Sequence, residues 1–152
     1  MEDKQRKKQL AGLWASAMAA LARREHSAWE IRQKLKPKAS SDIIDELIDA
    51  LLKDDLLSDE RFAHMLCRSR FNKGVGPVRI AHELKQHQIL ADWAEQAMEE
   101  YENLWVDHLQ ALNSRKYGDA PPTDYKAWAK RARFFQGRGF TTEQIRDAVL
   151  QR

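Results

Sequence analysis

The sequence predicts an all-α protein made of three tandem three-helix repeats, arranged as an elongated array that could be curved. Apolar residues recur at helical spacing along nearly the whole chain of 152 residues. No segment shows the regular alternation that a half-buried strand needs. A weak repeat of about 50 residues also relates three sections of the chain, and such a period is typical of stacked helical modules.

The first repeat is predicted over residues 1–56, beginning with a basic N-terminal segment. The apolar stripe of its first helix consists of Leu10, Leu13, Trp14, Ala17, Met18 and Leu21. Ser27 and Glu30 have the spacing of a capping box, which predicts that a second helix starts there. Pro37 helps to end that helix, and a third helix is expected to begin near Ser40 or Ser41.

The second repeat is predicted over residues 57–102. Ser58 is a suitable N-cap for a helix that continues to Lys73 and ends at Gly74, which can adopt the left-handed conformation of a helix end. Pro77 suits the first position of the next helix, where its missing amide hydrogen has no cost. A further helix is expected around Trp93–Tyr101.

The third repeat is predicted over residues 103–152. Trp105, Leu109 and Leu112 begin it, and Pro121 and Pro122 mark a loop. The next apolar stripe is formed by Tyr125, Trp128, Ala132 and Phe135. Thr141 and Gln144 have capping-box spacing at the start of the last helix.

The repeats can be superimposed on shared anchor positions. Equivalent helix ends are occupied by Leu35, Leu84 and Phe135. Each repeat is predicted to consist of a long helix, a short helix and a third helix. Three helices of this size bury little apolar surface alone, so neighbouring repeats are expected to share packing.

Charge is distributed in blocks, although the formal net charge is only +3. Residues 2–38, 61–85 and 115–138 are rich in Lys and Arg, whereas residues 42–60 and 92–107 are rich in Asp and Glu. Basic blocks suit phosphates or an acidic partner, and acidic blocks suit a basic protein surface. Solvated helix faces are the alternative for any single block.

Composition favours a folded, cytoplasmic protein without a membrane span or a secretory signal. No run of apolar residues is long enough to cross a bilayer, and the basic N-terminus is not followed by an apolar segment with a cleavage site. The single cysteine, Cys67, excludes an internal disulfide and fits a reducing compartment.

An enzymatic role has little support in the sequence. It contains no phosphate-binding loop, no nucleophile elbow and no zinc-binding HExxH motif. His64 and Cys67 lie one helical turn apart, but no second pair completes a tetrahedral metal site. We therefore expect no catalytic residues, no cofactor and no metal.

Aromatic rings within basic segments are the best candidates for binding. Phe71 follows Arg68 by three residues, and Phe134 can share a helix face with Lys130, Arg131 and Arg138. An exposed ring flanked by cations suits stacking on a base or anchoring in a partner's pocket. Packing between repeats is an equally acceptable role for Phe71 and Phe134. Trp29 is expected to pack against the third helix of its repeat.

Three stretches together resemble motifs of the RecX family of recombination regulators. They are REHSAWEIRQKL at residues 24–35, LLSDERFAHMLCRSR at residues 56–70 and GVGPVRIAHELKQHQI at residues 74–89. RKYG at residues 115–118 and RFFQGRGF at residues 133–140 extend the resemblance into the last third.

The resemblance implies a non-enzymatic regulator that lies in the groove of a RecA–DNA filament. Family members inhibit the ATPase, strand-exchange and co-protease activities of RecA by blocking filament growth or promoting disassembly. It also implies weak, sequence-independent binding to single- and double-stranded DNA, and we expect a monomer. By matching motif, the RecA- and DNA-binding residues would include Arg24, Arg32, Arg68, Arg70, Lys73, Arg79, Arg115, Lys116, Arg131, Arg133 and Arg138, to which residue chemistry adds Phe71, Lys130 and Phe134.

Two positions depart from the family pattern. Val75 replaces a frequent aromatic residue, which removes stacking there, and Gln88 replaces a usual glycine, which is expected to weaken a left-handed turn before Ile89. The alternative function is a stand-alone DNA-binding protein with helix-turn-helix-like units. The acidic third helices argue against it, because phosphates would repel them.

Overall fold

The structure is a computed structural model that describes residues 2–150. Over this range it is helical and contains no strand, which confirms the predicted all-α class. The α-helices are α1 (Glu2–Arg23), α2 (Ala28–Leu35), α3 (Ser41–Lys53), α4 (Asp59–Asn72), α5 (Pro77–Gln86), α6 (Ala91–Glu99), α7 (Trp105–Tyr117), α8 (Tyr125–Gly137) and α9 (Thr142–Ile145), and a π-helical segment (Arg146–Leu150) extends α9.

The two predicted capping boxes are present. Ser27 Oγ accepts a hydrogen bond from the Glu30 amide at 3.0 Å, and the Ser27 amide donates to the Glu30 carboxylate. Thr141 and Gln144 make the same reciprocal pair at the start of α9. Each box satisfies two amides that a helix start leaves without partners, so these two boundaries follow from local sequence.

The turns before α5 and α6 both contain a left-handed residue. Gly74 has φ +79°, as its sequence context predicts. Gln88 has φ +58°, so the left-handed turn before Ile89 forms without glycine, and the weakening expected from this substitution stays a prediction. The turn persists because Ile89, the next residue, is buried and its amide donates to the Leu84 carbonyl at 3.2 Å. The burial and the hydrogen bond of Ile89 therefore compensate for the strain of a left-handed residue that is not glycine.

The chain has two separate apolar cores within the described residues. The first lies inside α1–α3, where Leu35 packs with residues such as Ile31, Ile44 and Leu51. The second is continuous across α4–α9 and contains both Leu84 and Phe135. A continuous shared core is therefore found for the second and third repeats, whereas the core of the first repeat takes in Leu57 alone from its neighbour within the described residues.

The second and third repeats meet through direct backbone contact, which we call the second junction. The Gly76 amide donates to the Arg138 carbonyl at 2.7 Å, and the Val78 amide donates to the Gly139 carbonyl at 2.9 Å. A Cβ added at Gly76 would lie 2.4 Å from the Gly139 carbonyl carbon. Glycine is needed at Gly76 because the two backbones approach too closely for any side chain.

The first and second repeats meet mainly through polar and aromatic groups, which we call the first junction. Ser27 Oγ lies 2.7 Å from His87 Nδ1, and the Ala28 amide donates to Asp59 Oδ1 at 2.8 Å. Arg61 also pairs with Glu25 at 3.0 Å. Leu57, just before α4, is buried in the first core, and no other residue of the second repeat belongs to that core within residues 2–150.

Three expectations from the sequence need correction. Tyr125 is predicted in the core stripe of α8 but is 80% exposed, because it lies in the first turn of that helix beyond its packing partners. Trp29 contacts the His87 ring of the second repeat rather than belonging to the core of its own. In the third repeat α7 and α8 both have 13 residues, so its second helix is not short. Val75, which departs from the family pattern, is buried in the second core.

Candidate interaction surface

A small pocket lies where the end of α4 meets α7 and α8, and we call it the basic pocket. Its volume is about 230 Å³. Apolar groups of Leu112, Phe134 and Phe135 form its floor. Four cations surround this floor, namely Lys73, Arg115, Lys116 and Arg138. An apolar floor inside a ring of positive charge suits a ligand that combines a flat apolar group with phosphates.

The pocket is held in place by Arg138, at the C-terminal end of α8. Its Nη2 donates to the Lys73 carbonyl at 2.7 Å, and its Nε donates to the Gly74 carbonyl at 3.4 Å. These bonds connect the end of α4 to the end of α8 and satisfy carbonyls that a helix end leaves exposed. Since a guanidinium carries five N–H groups, Arg138 keeps donors for a ligand.

Phe134 provides the exposed aromatic surface of the pocket. Its ring is 39% exposed, whereas the adjacent Phe135 is 1% exposed in the second core. Lys116 Nζ lies 4.1 Å from the centre of the Phe134 ring, within cation–π distance. Tyr117 and Phe135 both meet the Phe134 ring nearly edge-on, which fixes its orientation.

The remaining candidate cations of α8 divide into one structural residue and two exposed ones. Arg131 Nη1 donates to the Ala120 carbonyl at 3.2 Å, and its guanidinium carbon lies 4.8 Å from the centre of the Tyr117 ring. It therefore braces the loop between α7 and α8. Lys130 and Arg133 are exposed on α8 and add positive charge to this side of the helix.

Three of the candidate cations are occupied by carboxylates of the same chain. Arg24 pairs with Glu30, Arg32 with Asp45, and Arg70 Nε with Glu83 Oε2 at 2.7 Å. The hydrogen bond that Arg24 donates to the Glu30 carboxylate raises the pKa of Arg24. A cation in such a pair offers a phosphate less charge than a free one. Within the part of the chain that the structure describes, Arg68 and Arg79 have no carboxylate in ion-pair distance and point to no common pocket.

Phe71 is packed between the second and third repeats. Its ring stacks on His108 with 3.8 Å between ring centres, and it also contacts Tyr101 and Trp105. His108 Nε2 lies 2.8 Å from the Phe71 carbonyl oxygen. Phe71 therefore packs between repeats, which was the alternative to a binding role. Its ring is not part of the basic pocket.

Sequence reasoning missed two contributors to the pocket. Leu112 is three residues before Arg115 and four before Lys116, so the three share one face of α7. That spacing is visible in the sequence and could have identified Leu112. Tyr117, which contacts both Lys116 and Arg131, lies in the RKYG stretch, but its contact with Arg131 joins two helices and is not visible in the sequence.

His64 and Cys67 form no metal site in residues 2–150, where no group of three metal-ligating side chains is found. His64 Nδ1 lies 3.1 Å from a Glu100 carboxylate oxygen. Burial raises the pKa of the Cys67 thiol to about 12, so this group stays protonated and unreactive at neutral pH. No helix in the described range is long and apolar enough to cross a membrane.

Comparison with known proteins identifies each repeat. Family models described as the first, second and third three-helix domains of RecX match residues 14–51, 58–98 and 102–149. A regulatory protein RecX from Halorhodospira halophila is 37% identical over 135 residues, which are 88% of this chain and 84% of the relative. The corresponding protein from Acidithiobacillus ferrooxidans is 36% identical over 137 residues, covering 89% and 87% of the two chains.

Solved structures share the fold at lower identity. A crystal structure of a regulatory protein RecX aligns with a TM-score of 0.79 and 18% identity, covering 95% of this chain and 74% of the other. RecX from Lactobacillus salivarius aligns with a TM-score of 0.75 and 24% identity, covering 95% and 96%. These alignments, with the three domain matches, confirm the predicted series of three-helix repeats.

Proposed function

Because this chain belongs to the RecX family of regulatory proteins, we propose that it binds RecA–DNA filaments and inhibits RecA. Inhibition covers the ATPase, strand-exchange and co-protease activities, and it acts by blocking filament growth or promoting disassembly. The observation that supports a nucleoprotein target is the basic pocket, where four cations surround the exposed ring of Phe134.

The pocket can bind a nucleic acid strand without reading its sequence. Lys73, Arg115 and Lys116 are exposed and can contact phosphates, which carry no base code. The Phe134 ring can stack on any unpaired base, because every base has a flat face. We therefore propose weak, sequence-independent binding to both single- and double-stranded DNA.

Regulation of this kind needs no catalytic step. A protein that binds one filament state more tightly than another shifts the filament toward that state. We accordingly propose a monomeric, non-enzymatic regulator that acts in the cytoplasm without a cofactor. The free thiol of Cys67 is compatible with that reducing compartment.

A stand-alone DNA-binding protein is the second candidate function. The exposed carboxylates of α3, such as Asp42 and Asp49, and of α6, such as Asp92 and Glu95, oppose insertion of these third helices into a major groove. DNA affinity that does not change when RecA is present would favour this second candidate over the first.

The decisive experiment measures the single-strand-dependent ATPase of RecA while this protein is added. Substoichiometric protein should lower RecA turnover and should hydrolyse no ATP alone. A variant with Lys73→Ala and Lys116→Ala should inhibit markedly less, whereas the matched variant with Lys34→Ala and Lys36→Ala should inhibit like the parent. Unchanged RecA turnover at equimolar parent protein would contradict the proposed function.

DNA binding can be tested separately through its dependence on salt. For the Lys73→Ala and Lys116→Ala variant, the slope of log affinity against log salt should become shallower. The expected change is about 0.7 for each phosphate of single-stranded DNA that the variant no longer neutralises. The weakening should be similar for all base sequences, and an unchanged slope would assign these lysines to a protein contact. Arg70 is left intact because its removal would also free Glu83.

Phe134 and Phe135 separate binding from folding. Phe134→Ala should leave the melting temperature nearly unchanged and weaken RecA inhibition, because its ring is partly exposed on the floor of the basic pocket. Phe135→Ala should unfold the second core at a lower temperature. Early melting of Phe134→Ala, or inhibition equal to the parent, would show that its face does not serve as the binding anchor.

A further inference from the structure

An open groove of about 950 Å³ lies at the second junction, and we call it the acidic groove. Its walls come from the start of α5, from α6, and from Thr141 and Gln144 at the start of α9. Its floor is apolar and includes Val78, Ala81, Met98 and Trp105. Val78 is 56% exposed and adds an uncovered aliphatic side chain to this floor.

All the charged residues that line the groove are acidic. They are Asp92, Glu95, Glu99 and Glu102, and each is exposed or nearly so. None of the four forms an ion pair with another residue between positions 2 and 150. Their charge is therefore available to a partner, and it would repel a phosphate backbone.

The groove is built on fixed walls. Hydrogen bonds from the Gly76 and Val78 amides attach the start of α5 to the turn between α8 and α9. Ala97 is buried in the second core and holds the opposite face of α6 inward. A surface that is formed before binding loses little conformational entropy when a partner docks.

The acidic groove and the basic pocket are connected through one short linker. Lys73 and Gly74 line the pocket, whereas Pro77 and Val78 line the groove. Positive charge therefore lies at the start of segment 73–78 and negative charge near its end, and Gly76 fixes this segment in place. This sorting suits a nucleoprotein, which presents phosphates to one site and protein to the other.

We propose that the acidic groove docks a basic amphipathic segment of a protein partner. Apolar side chains of that segment contact Val78, Ala81 and Met98, and its Lys or Arg side chains pair with the carboxylates. The chemistry is that of a helix laid in a groove, with apolar anchors and charges that set its orientation. The docking of a basic amphipathic segment is inferred from the groove itself. Only the choice of the RecA filament as the partner rests on the proposed function.

Two variants test the two parts of the groove. Ala81→Trp fills the floor from an exposed position of α5, and Ala111→Trp on the exposed face of α7 is its control. The second variant removes negative charge from the groove through Glu95→Gln, Glu99→Gln and Glu102→Gln. Its control removes the same amount of charge from the first repeat through Asp42→Asn, Asp49→Asn and Asp54→Asn. None of these six carboxylates forms an ion pair in the described range, and thermal melts verify that each variant folds.

The probe is a fluorescent helical peptide of leucine and lysine, with a leucine–glutamate peptide as its counterpart. The full-length protein should bind the lysine peptide and not the glutamate peptide. Both groove variants should bind it at least about tenfold more weakly, because they remove three partly screened ion pairs or the apolar contact. Both controls should bind like the parent. Equal losses in groove and control variants, or parent-like binding by Ala81→Trp, would overturn the proposal.

The same variants then distinguish the partner. RecA filaments on single-stranded DNA should retain the parent and both controls, and should retain the groove variants about tenfold less. If the parent binds the peptide but no filament, the proposed function fails while the groove remains. If the groove variants bind filaments like the parent, the docking proposal fails while the proposed function remains. A parent dimer that Ala81→Trp dissociates would make a second copy the occupant and overturn the proposal.

Discussion

The two junctions of this protein join the same kind of repeat in different ways. At the second junction, Gly76 and Gly139 bring two backbones into contact, and one apolar core continues from α4 to α9. At the first junction, the contacts are made by side chains such as Ser27, His87 and Asp59, and two cores stay separate. Water can replace polar contacts between side chains, whereas it cannot replace a continuous apolar core.

The difference decides where the candidate sites can lie. Both the basic pocket and the acidic groove are built from residues of the second and third repeats, at the second junction. Sites that must hold several groups in a fixed arrangement benefit from rigid support. The first junction, by contrast, has few apolar contacts, and local opening of the structure is expected to begin there.

The largest expected effect comes from removing one anchor from each core. Phe135→Ala and Leu35→Ala should each destabilise their own core by roughly 3–5 kcal/mol, through lost burial and a residual cavity. Because the second core is shared, Phe135→Ala should also speed amide exchange at Leu84 in the second repeat. Leu35→Ala should speed exchange in α1, α2 and α3 only.

Hydrogen exchange of the two variants therefore tests whether the cores are independent. Equal acceleration of the Leu84 amide in both variants would show that the first junction couples the repeats as tightly as the second. Acceleration of exchange in α2 by Phe135→Ala would lead to the same conclusion.

The next effect concerns the backbone contact. In Gly76→Ala, the new Cβ would meet the carbonyl and the following amide of Gly139–Phe140 at 2.4–2.6 Å, so the junction must open. We expect a loss of about 3 kcal/mol, at the upper end of overpacking costs. Gly12→Ala is the control, since nothing lies within 4 Å of its added Cβ. Inside α1 it should raise stability by about 0.8 kcal/mol. A Gly76→Ala protein that melts like the parent would disprove the close contact.

Local features of the fold could be predicted because they depend on neighbouring residues. Ser27 with Glu30, and Thr141 with Gln144, fix helix starts through bonds that span three residues. Leu35, Leu84 and Phe135 are predictable as anchors from helical periodicity alone, and all three are buried. The pairing of Gly76 with Gly139 could not be predicted, because it joins segments that are distant in sequence and have no shared pattern.

The candidate site was predictable only in part, for a related reason. Lys116, Phe134 and Arg138 lie in segments whose composition marks them as basic and aromatic. Arg70 also lies in a basic and aromatic segment, yet it forms an ion pair with Glu83 of another helix. Which cations stay available depends on tertiary ion pairs, and these are not visible in one sequence. The packing of Phe71 on His108 is a further example.

A smaller effect is expected from His87→Ala at the first junction. The change removes the contact with Ser27 and ring contacts with Trp29 and Phe62, for which we expect a loss of about 1–2 kcal/mol. His82→Ala is the control, since His82 is exposed on α5, the helix that ends just before His87. Thermal melts of the two variants provide the measurement. A loss as large as that of Gly76→Ala would remove the distinction between the junctions.

The smallest effect is the response of the first junction to acid. Burial lowers the pKa of His87, and the charge of Arg24 acts in the same direction, against Glu30, Glu83 and Asp59. The folded protein therefore holds fewer protons at this site than the unfolded chain, whose histidine titrates at about 6.5. The stability that neutral His87 contributes is complete above that pH and is lost as the pH falls toward the lowered pKa.

This acid response can be followed at the Ala28 amide, which donates to Asp59 across the first junction. Between about pH 7.5 and 5.5, its free energy of opening should fall by less than about 1 kcal/mol, because the half-buried ring is partly screened by water. His87→Gln should abolish the fall, since glutamine does not titrate. The Leu84 amide, in the second core, should show no such fall over the same range. If the free energy of opening in His87→Gln fell as much as in the parent, another group would be responsible and His87 would not control the first junction.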